Sequence, residues 1–185
     1  MDSMHFPSGK HAFCWCWVMT AMACSQSGGP VDAGSGGGEF IAVTRDFQRF
    51  TDWEAFPMGQ GPLDGGVHTL GVRTAYLNHR PPHASSEFPL GTIIVKQTNE
   101  QAPPNRRQVF AMVKRGANFN TSGARNWEWF ELTVNDGGAA FINWRGEGPP
   151  PGETYGTADQ SCNTCHAGAR SNDYVQAQQM LLTNF

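Results

Sequence analysis

The chain has little basic charge, little usable cysteine and no long apolar run, and each shortage removes a class of function. Its 13 lysines and arginines are outnumbered by 16 acids, which leaves a net charge of -3 and a pI near 6.0. A broad basic face for a phosphate backbone is therefore missing, and no nucleic acid is expected as partner. The apolar stretch "AFCWCWVMTAMA", residues 12–23, is too short to cross a bilayer. Of the five cysteines, Cys14, Cys16 and Cys24 belong to this stretch or to its end. Only Cys162 and Cys165 remain for a folded part, and a bridge between residues so close closes a loop too small to stabilise much. A disulfide scaffold is excluded.

The length of 185 residues suits one domain with a real core. The 22 glycines, 12 prolines and 11% aromatic content point to a sheet with long loops rather than a helical bundle. Lys10 and His11 precede the short apolar run, which ends in small residues and reads as a secretory signal over residues 1–24. "AMAC" resembles a bacterial lipoprotein cleavage box, with Ala21 where leucine is usual, so two outcomes stand beside each other. Cys24 is a lipid anchor, or the signal is a plain one cut nearby; a buried N-terminal helix is a third reading. The Gly/Ser-rich segment 25–38 is a flexible tether, and residues 39–185 form the domain.

"SCNTCHAG", residues 161–168, carries the chemistry. On a helix, Cys162, Cys165 and His166 share one face and converge on one flat object. Cys-x-x-Cys-His is the attachment signature of c-type haem, with two thioethers to the porphyrin and the imidazole on the iron. A structural zinc site needs four protein ligands, and only His68, His79 and His83 are left to complete it. A thioredoxin-like redox pair follows a strand at the head of a helix, whereas this motif follows the loop "RGEGPPPGETYGTADQ". Covalent haem, with His166 as the metal ligand, is the expected cofactor.

Around the motif the pattern predicts an α+β fold. Val43, Phe47, Phe50 and Trp53 recur at helical spacing from Ile41, and "FPMGQG" is expected to stop that helix. Then the period becomes two. "HTLGVRTAYLN" sets Leu70, Val72, Thr74 and Tyr76 against Arg73, Ala75 and Leu77; "GTIIVKQT" sets Ile93 and Val95 against Ile94 and Lys96. "RQVFAMVKR", "NWEWFELTV" and a hairpin in "VNDGGAAFINW", turning at Asp136, Gly137 and Gly138, complete an antiparallel sheet of about five strands. A short helix over "ADQSCNTCHAGA" and a closing helix over "NDYVQAQQMLL", with Val175, Leu181 and Leu182 inward, are expected to pack with it.

In this order "RTAYLN" (73–78), "FPLGTIIVKQ" (88–97), "NWEWFEL" (126–132) and "CNTCH" with "DYV" (173–175) resemble the cytochrome P460 family, which includes the beta-type cytochromes c prime. The resemblance runs from about Phe47 to Leu182. It implies an antiparallel sheet packed with helices, a homodimer formed through the sheet, and one of two activities: hydroxylamine oxidation, or binding of nitric oxide and related ligands. In the oxidising members a lysine is cross-linked to the porphyrin, and Lys96 stands at that place; the plain reading of Lys96 is a strand lysine in solvent. Arg73 matches a basic residue near the open iron face, where it stabilises an anion, or else pairs at the surface with Glu128 or Glu131, which is the favoured reading. The oxidising members also carry a carboxylate over the iron, and here "QVFAMVKR" offers Val113 and Lys114 instead.

The expectation is an exported mono-haem protein, periplasmic or on the outer face of a membrane, with Cys162, Cys165 and His166 holding the haem and Lys96 and Arg73 at the open side. Phe88, Phe110 and Phe119 are candidates to line the ligand pocket. The alternative is an electron-transfer cytochrome that meets a soluble redox partner, its iron capped by Met112 or Met180.

Overall fold

The computed structural model describes residues 38–60, 68, 71–100, 107–153 and 161–185, all within one unit, Gly36–Phe185. The signal segment with Cys24, residues 25–37 of the tether and Leu70 lie outside the described residues. The alternating stretches fold as one antiparallel sheet whose strands lie side by side in chain order: β1 Glu54–Gln60, β2 Gly71–Leu77, β3 Ile93–Glu100, β4 Arg107–Lys114, β5 Trp127–Val134 and β6 Ala140–Gly146. Six strands replace the expected five. The additional one, β1, contains the "FPMGQ" expected to break a helix. Pro57 lacks a ladder donor, but β1 is an edge strand, where a missing donor costs little. A register shift between Pro57 and Gly59 absorbs the irregularity.

The ladder keeps the expected faces. Ala75, Lys96, Phe110, Glu131 and Trp144 form one cross-strand row, and Leu77, Ile94, Met112 and Trp129 form the next on the same face. Behind them Val95, Ala111 and Phe130 pair on the other face. Both faces are covered, which explains why β4 and β5 read as nearly continuous buried runs. Phe47, Phe50 and Ala42 close the back with Val95, Val109, Val113 and Phe130. The C-terminal segment closes the front, where Tyr174, Val175, Ala177, Met180 and Leu182 meet Leu77, Ile94 and Met112. The β5–β6 hairpin turns where expected: Gly138, at φ +81, takes the left-handed conformation, and Asn135 caps it by accepting from Ala139 N at 2.9 Å.

Neither long helix forms. The N-terminal segment has two 3-10 turns, Thr44–Phe47 and Phe50–Asp52, separated by extended Gln48 and left-handed Arg49 at φ 55. Gln48 explains the break, because its amide donates to Thr44 O and to Ala140 O, each at 2.7 Å, and so ties the chain to β6. Phe47 and Phe50 are buried as the helical period implied, while Ile41 and Val43 are exposed. At the C-terminus the closing helix is replaced by the 3-10 turns Gln178–Met180 and Leu182–Asn184. Here buried Asn172 takes the backbone groups a helix would use: its amide donates to Val175 O and Met180 O and accepts from Leu182 N. The motif itself makes one turn of α-helix, α1, Cys162–His166, continued by the 3-10 segment Ala167–Asn172.

Candidate functional site

Between the front of the sheet and the C-terminal segment lies a cavity of about 360 Å³, within the range of small-molecule sites. Ala75, Ile94, Met112 and Trp129 floor it, and Cys162, Cys165 and His166 form one wall. Ser161 starts α1 by accepting from Thr164 N at 3.2 Å, and a single turn then suffices to bring both thiols and the imidazole to the cavity. Cys162 and Cys165 form no disulfide with each other.

Asn163, between the cysteines, fixes the turn to the sheet. Its Oδ1 accepts from Asn120 Nδ2 at 2.7 Å, Trp129 Nε1 at 2.9 Å and Ala124 N at 3.2 Å. Its amide nitrogen donates to Asn120 Oδ1 and Glu147 O, each at 2.9 Å. Gly123 lies against this amide so closely that a Cβ there would overlap it.

His166 is oriented from behind. Its Nδ1 donates to Tyr174 O at 2.6 Å, which leaves Nε2 as the nitrogen free for a metal. Trp129 packs on the ring at 4.6 Å between centroids. Burial pushes the imidazole down to about 4, with Lys96 adding to the effect and the Tyr174 bond opposing it, so the ring is neutral, as a metal ligand must be. The carbonyl that holds it is itself set by strain. Asp173 and Tyr174 both have left-handed φ, 49 and 68, and the bend is clamped by Lys114, whose Nζ lies 2.7 Å from both Asp173 carboxylate oxygens. Phe88 N donates to the same carboxylate at 2.9 Å. Lys114 thus belongs to the support of His166 and does not line the cavity. Burial raises the Asp173 carboxyl above its ordinary range, and Lys114 works against that rise.

Lys96 and Arg73 both line the cavity. The solvent-facing reading of Lys96 does not hold, because β3 turns it inward with Ile94, to the face opposite Ile93 and Val95. Burial first, and Arg73 second, hold its ammonium well below the usual lysine range. The surface reading of Arg73 fails likewise: the residue is 8% exposed, and one guanidinium nitrogen donates to His68 O at 3.3 Å. Glu128 is on the other face of the sheet, 1% exposed, and bonds Arg145. Glu131 shares the cavity face, in register with Phe110 and Trp144, but among the described residues no acidic side chain lines the cavity.

Of the three phenylalanines only Phe110 lines it. Phe88 packs on Trp127 and Phe185 in the core, and Phe119 stacks under Arg115. Met112 and Met180 both border the cavity, and both are core residues as well. His68 lines it too, whereas His79 and His83 are exposed elsewhere. Among the described residues no group of three or more histidines, cysteines and acids converges as a metal site, so the fourfold ligand set of a structural zinc is not assembled there. Sequence reasoning missed Asn163, Asp173 and Trp129. Asn163 occupies one of the free positions of the motif and carries no spacing signal. Asp173 and Trp129 were visible only as parts of "DYV" and "NWEWFEL".

The donor set fits haem: two thiols and a neutral, backbone-oriented imidazole border an apolar cavity next to Lys96 and Arg73. The family model described as Cytochrome P460 matches residues 49–177, which includes β1 to β6, the Cys-x-x-Cys-His motif and the strained bend after it. No curated protein and no solved structure matches the chain. With that match over most of its length, the chain belongs to the cytochrome P460 family and is a haem-iron protein of the c-type cytochrome class.

Proposed function

We propose that Cys162 and Cys165 would hold one haem through thioether bonds, that His166 would ligate its iron, and that the chain binds small nitrogen compounds, nitric oxide or hydroxylamine, in the same cavity. The observation that carries this reading is the convergence of both thiols and His166 on one wall of a cavity that Lys96 and Arg73 enter from the sheet. Bound haem iron supplies a site where such a ligand coordinates and exchanges electrons. Everything else is done by the chain. Tyr174 O keeps the His166 nitrogen aimed inward; Ala75, Ile94 and Phe110 give the cavity apolar walls; Arg73 favours ligands that carry or develop negative charge, with Lys96 beside it in the cavity.

Ligand binding is better supported than full hydroxylamine oxidation, because oxidation needs a base for the substrate's protons and no described acid lines the cavity. Lys96 occupies the place at which oxidising relatives are linked to the porphyrin, so a third covalent bond there is the mark of the oxidising role. The electron-transfer alternative rests on Met112 and Met180, since either sulfur could cap the iron. Export to the periplasm or the outer face of a membrane, through a plain signal cut near Cys24 or with a lipid anchor at Cys24, a homodimer and, for the electron-transfer alternative, a soluble redox partner complete the proposal.

Absorption spectra of the purified ferrous holoprotein decide between the readings. Immediate uptake of carbon monoxide or nitric oxide is expected for an open axial position; a low-spin spectrum that neither gas changes means a methionine-capped electron carrier.

A further inference from the structure

Among the described residues, His68 is the one cavity-lining titratable group to which the reading above gives no task. Its ring meets Phe110 edge-on at 5.7 Å, in the row of Lys96, Glu131 and Trp144. His166 instead leans on Trp129, in the row of Met112 and Ile94. The two rows are two residues apart along the strands, roughly 7 Å, so the imidazoles address the cavity from neighbouring levels of one sheet face. The carbonyl of His68 is pinned by Arg73, which ties this loop residue to β2. Its Nδ1 is buried and has no hydrogen-bond partner. A buried ring nitrogen is seldom left so without a task.

We propose that His68 faces the bound ligand and accepts, through Nδ1, a hydrogen bond from the N–H or O–H of a hydroxylamine-class molecule. Burial above all, with the Arg73 guanidinium that bonds the His68 carbonyl, disfavours a positive charge on this ring, and a neutral imidazole has a lone pair to offer. This gives the cavity a preference: a proton-bearing nitrogen ligand gains a bond that a diatomic gas without hydrogen does not.

The proposal rests on the haem reading, and the test separates the two. Hydroxylamine and carbon monoxide are titrated into wild-type holoprotein, into His68→Phe and into His68→Gln, which keeps an acceptor. Loss of the bond is expected to weaken hydroxylamine by about three- to tenfold in His68→Phe, with carbon monoxide affinity within about twofold of wild type and most of the loss recovered in His68→Gln. Equal hydroxylamine affinity in all three proteins overturns the assignment of His68. So does a switch from low-spin to high-spin iron in His68→Phe without added ligand, which makes His68 an iron ligand. If wild-type ferrous protein takes up no carbon monoxide, the open-site reading itself fails. Carbon monoxide uptake also reports folding, and if His68→Phe does not fold, the smaller His68→Leu, which likewise lacks an acceptor, replaces it with the same expected loss.

Discussion

Replacing Gly123 by alanine is expected to disturb the Cys-x-x-Cys-His turn without changing any residue of it. A Cβ at Gly123 would come within 3.0 Å of the Asn163 amide, and this amide cannot swing aside freely because five hydrogen bonds hold it. Overpacking against a pinned group costs about 1–3 kcal/mol, so about 2 kcal/mol is a fair expectation for Gly123→Ala. Deleting the amide in Asn163→Ala removes all five bonds, nominally about 2.5–7.5 kcal/mol at about 0.5–1.5 each. Asn163 is only partly buried, so water replaces some partners and a loss of about 3–4 kcal/mol is expected. Once the amide is gone the added methyl has nothing to strike, and the double variant should be no less stable than Asn163→Ala alone. The two changes are then coupled by about the full cost of Gly123→Ala. Urea unfolding of the four holoproteins, with m unchanged, measures this. Additive losses would show that Asn163 is not what Gly123 makes room for, and that the turn is anchored otherwise.

Lys114→Met leaves the Asp173 carboxylate buried without its cation and should cost about 3–5 kcal/mol near neutral pH. A carboxyl raised by burial keeps its proton in the folded state after the unfolded chain has released it, so stability is lost as pH rises above about 4, by at most about 1.4 kcal/mol per pH unit. Denaturation midpoints of Lys114→Met from pH 4 to 7 should therefore fall, more steeply than those of wild type, where Lys114 opposes the rise; a flat profile contradicts the assignment. Peptide mass analysis is expected to find haem on the Cys162 and Cys165 peptides alone, and a haem-bearing Lys96 peptide assigns the protein to hydroxylamine oxidation. Tyr174→Gly, which relieves the left-handed strain but keeps the carbonyl, should leave iron ligation spectrally unchanged; a shifted spectrum would mean that the Tyr174 ring also positions His166.

The sheet was legible because its pattern is local. Arg73, Ala75 and Leu77 fall on one face and Val72 and Tyr76 on the other, and the turn at Asp136–Gly138 announces itself in residue type. β1 was hidden, since Pro57 and Gly59 are breakers everywhere except at an edge. The two helices failed for the opposite reason: periodicity at Phe47 and Phe50 reported burial, while the side chains of Gln48 and Asn172 claimed the backbone groups that a helix needs. In the site, Cys162, Cys165 and His166 were marked by spacing. Lys96 and Arg73 had no spacing signal of their own, and only their register beside an inward face shows that they enter the cavity. Lys114 illustrates what register alone cannot tell: the strand position was visible, but its partner, Asp173, lies 59 residues away.

Whether the haem travels with the polypeptide after unfolding is the most direct test of the account. Holoprotein made in cells competent for cytochrome maturation should, after denaturation and acid–organic extraction, keep its haem on the fragment that contains Cys162 and Cys165, and replacing both cysteines should release it. Haem extracted from the wild-type chain, or a colourless chain that carries zinc in place of iron, would contradict it.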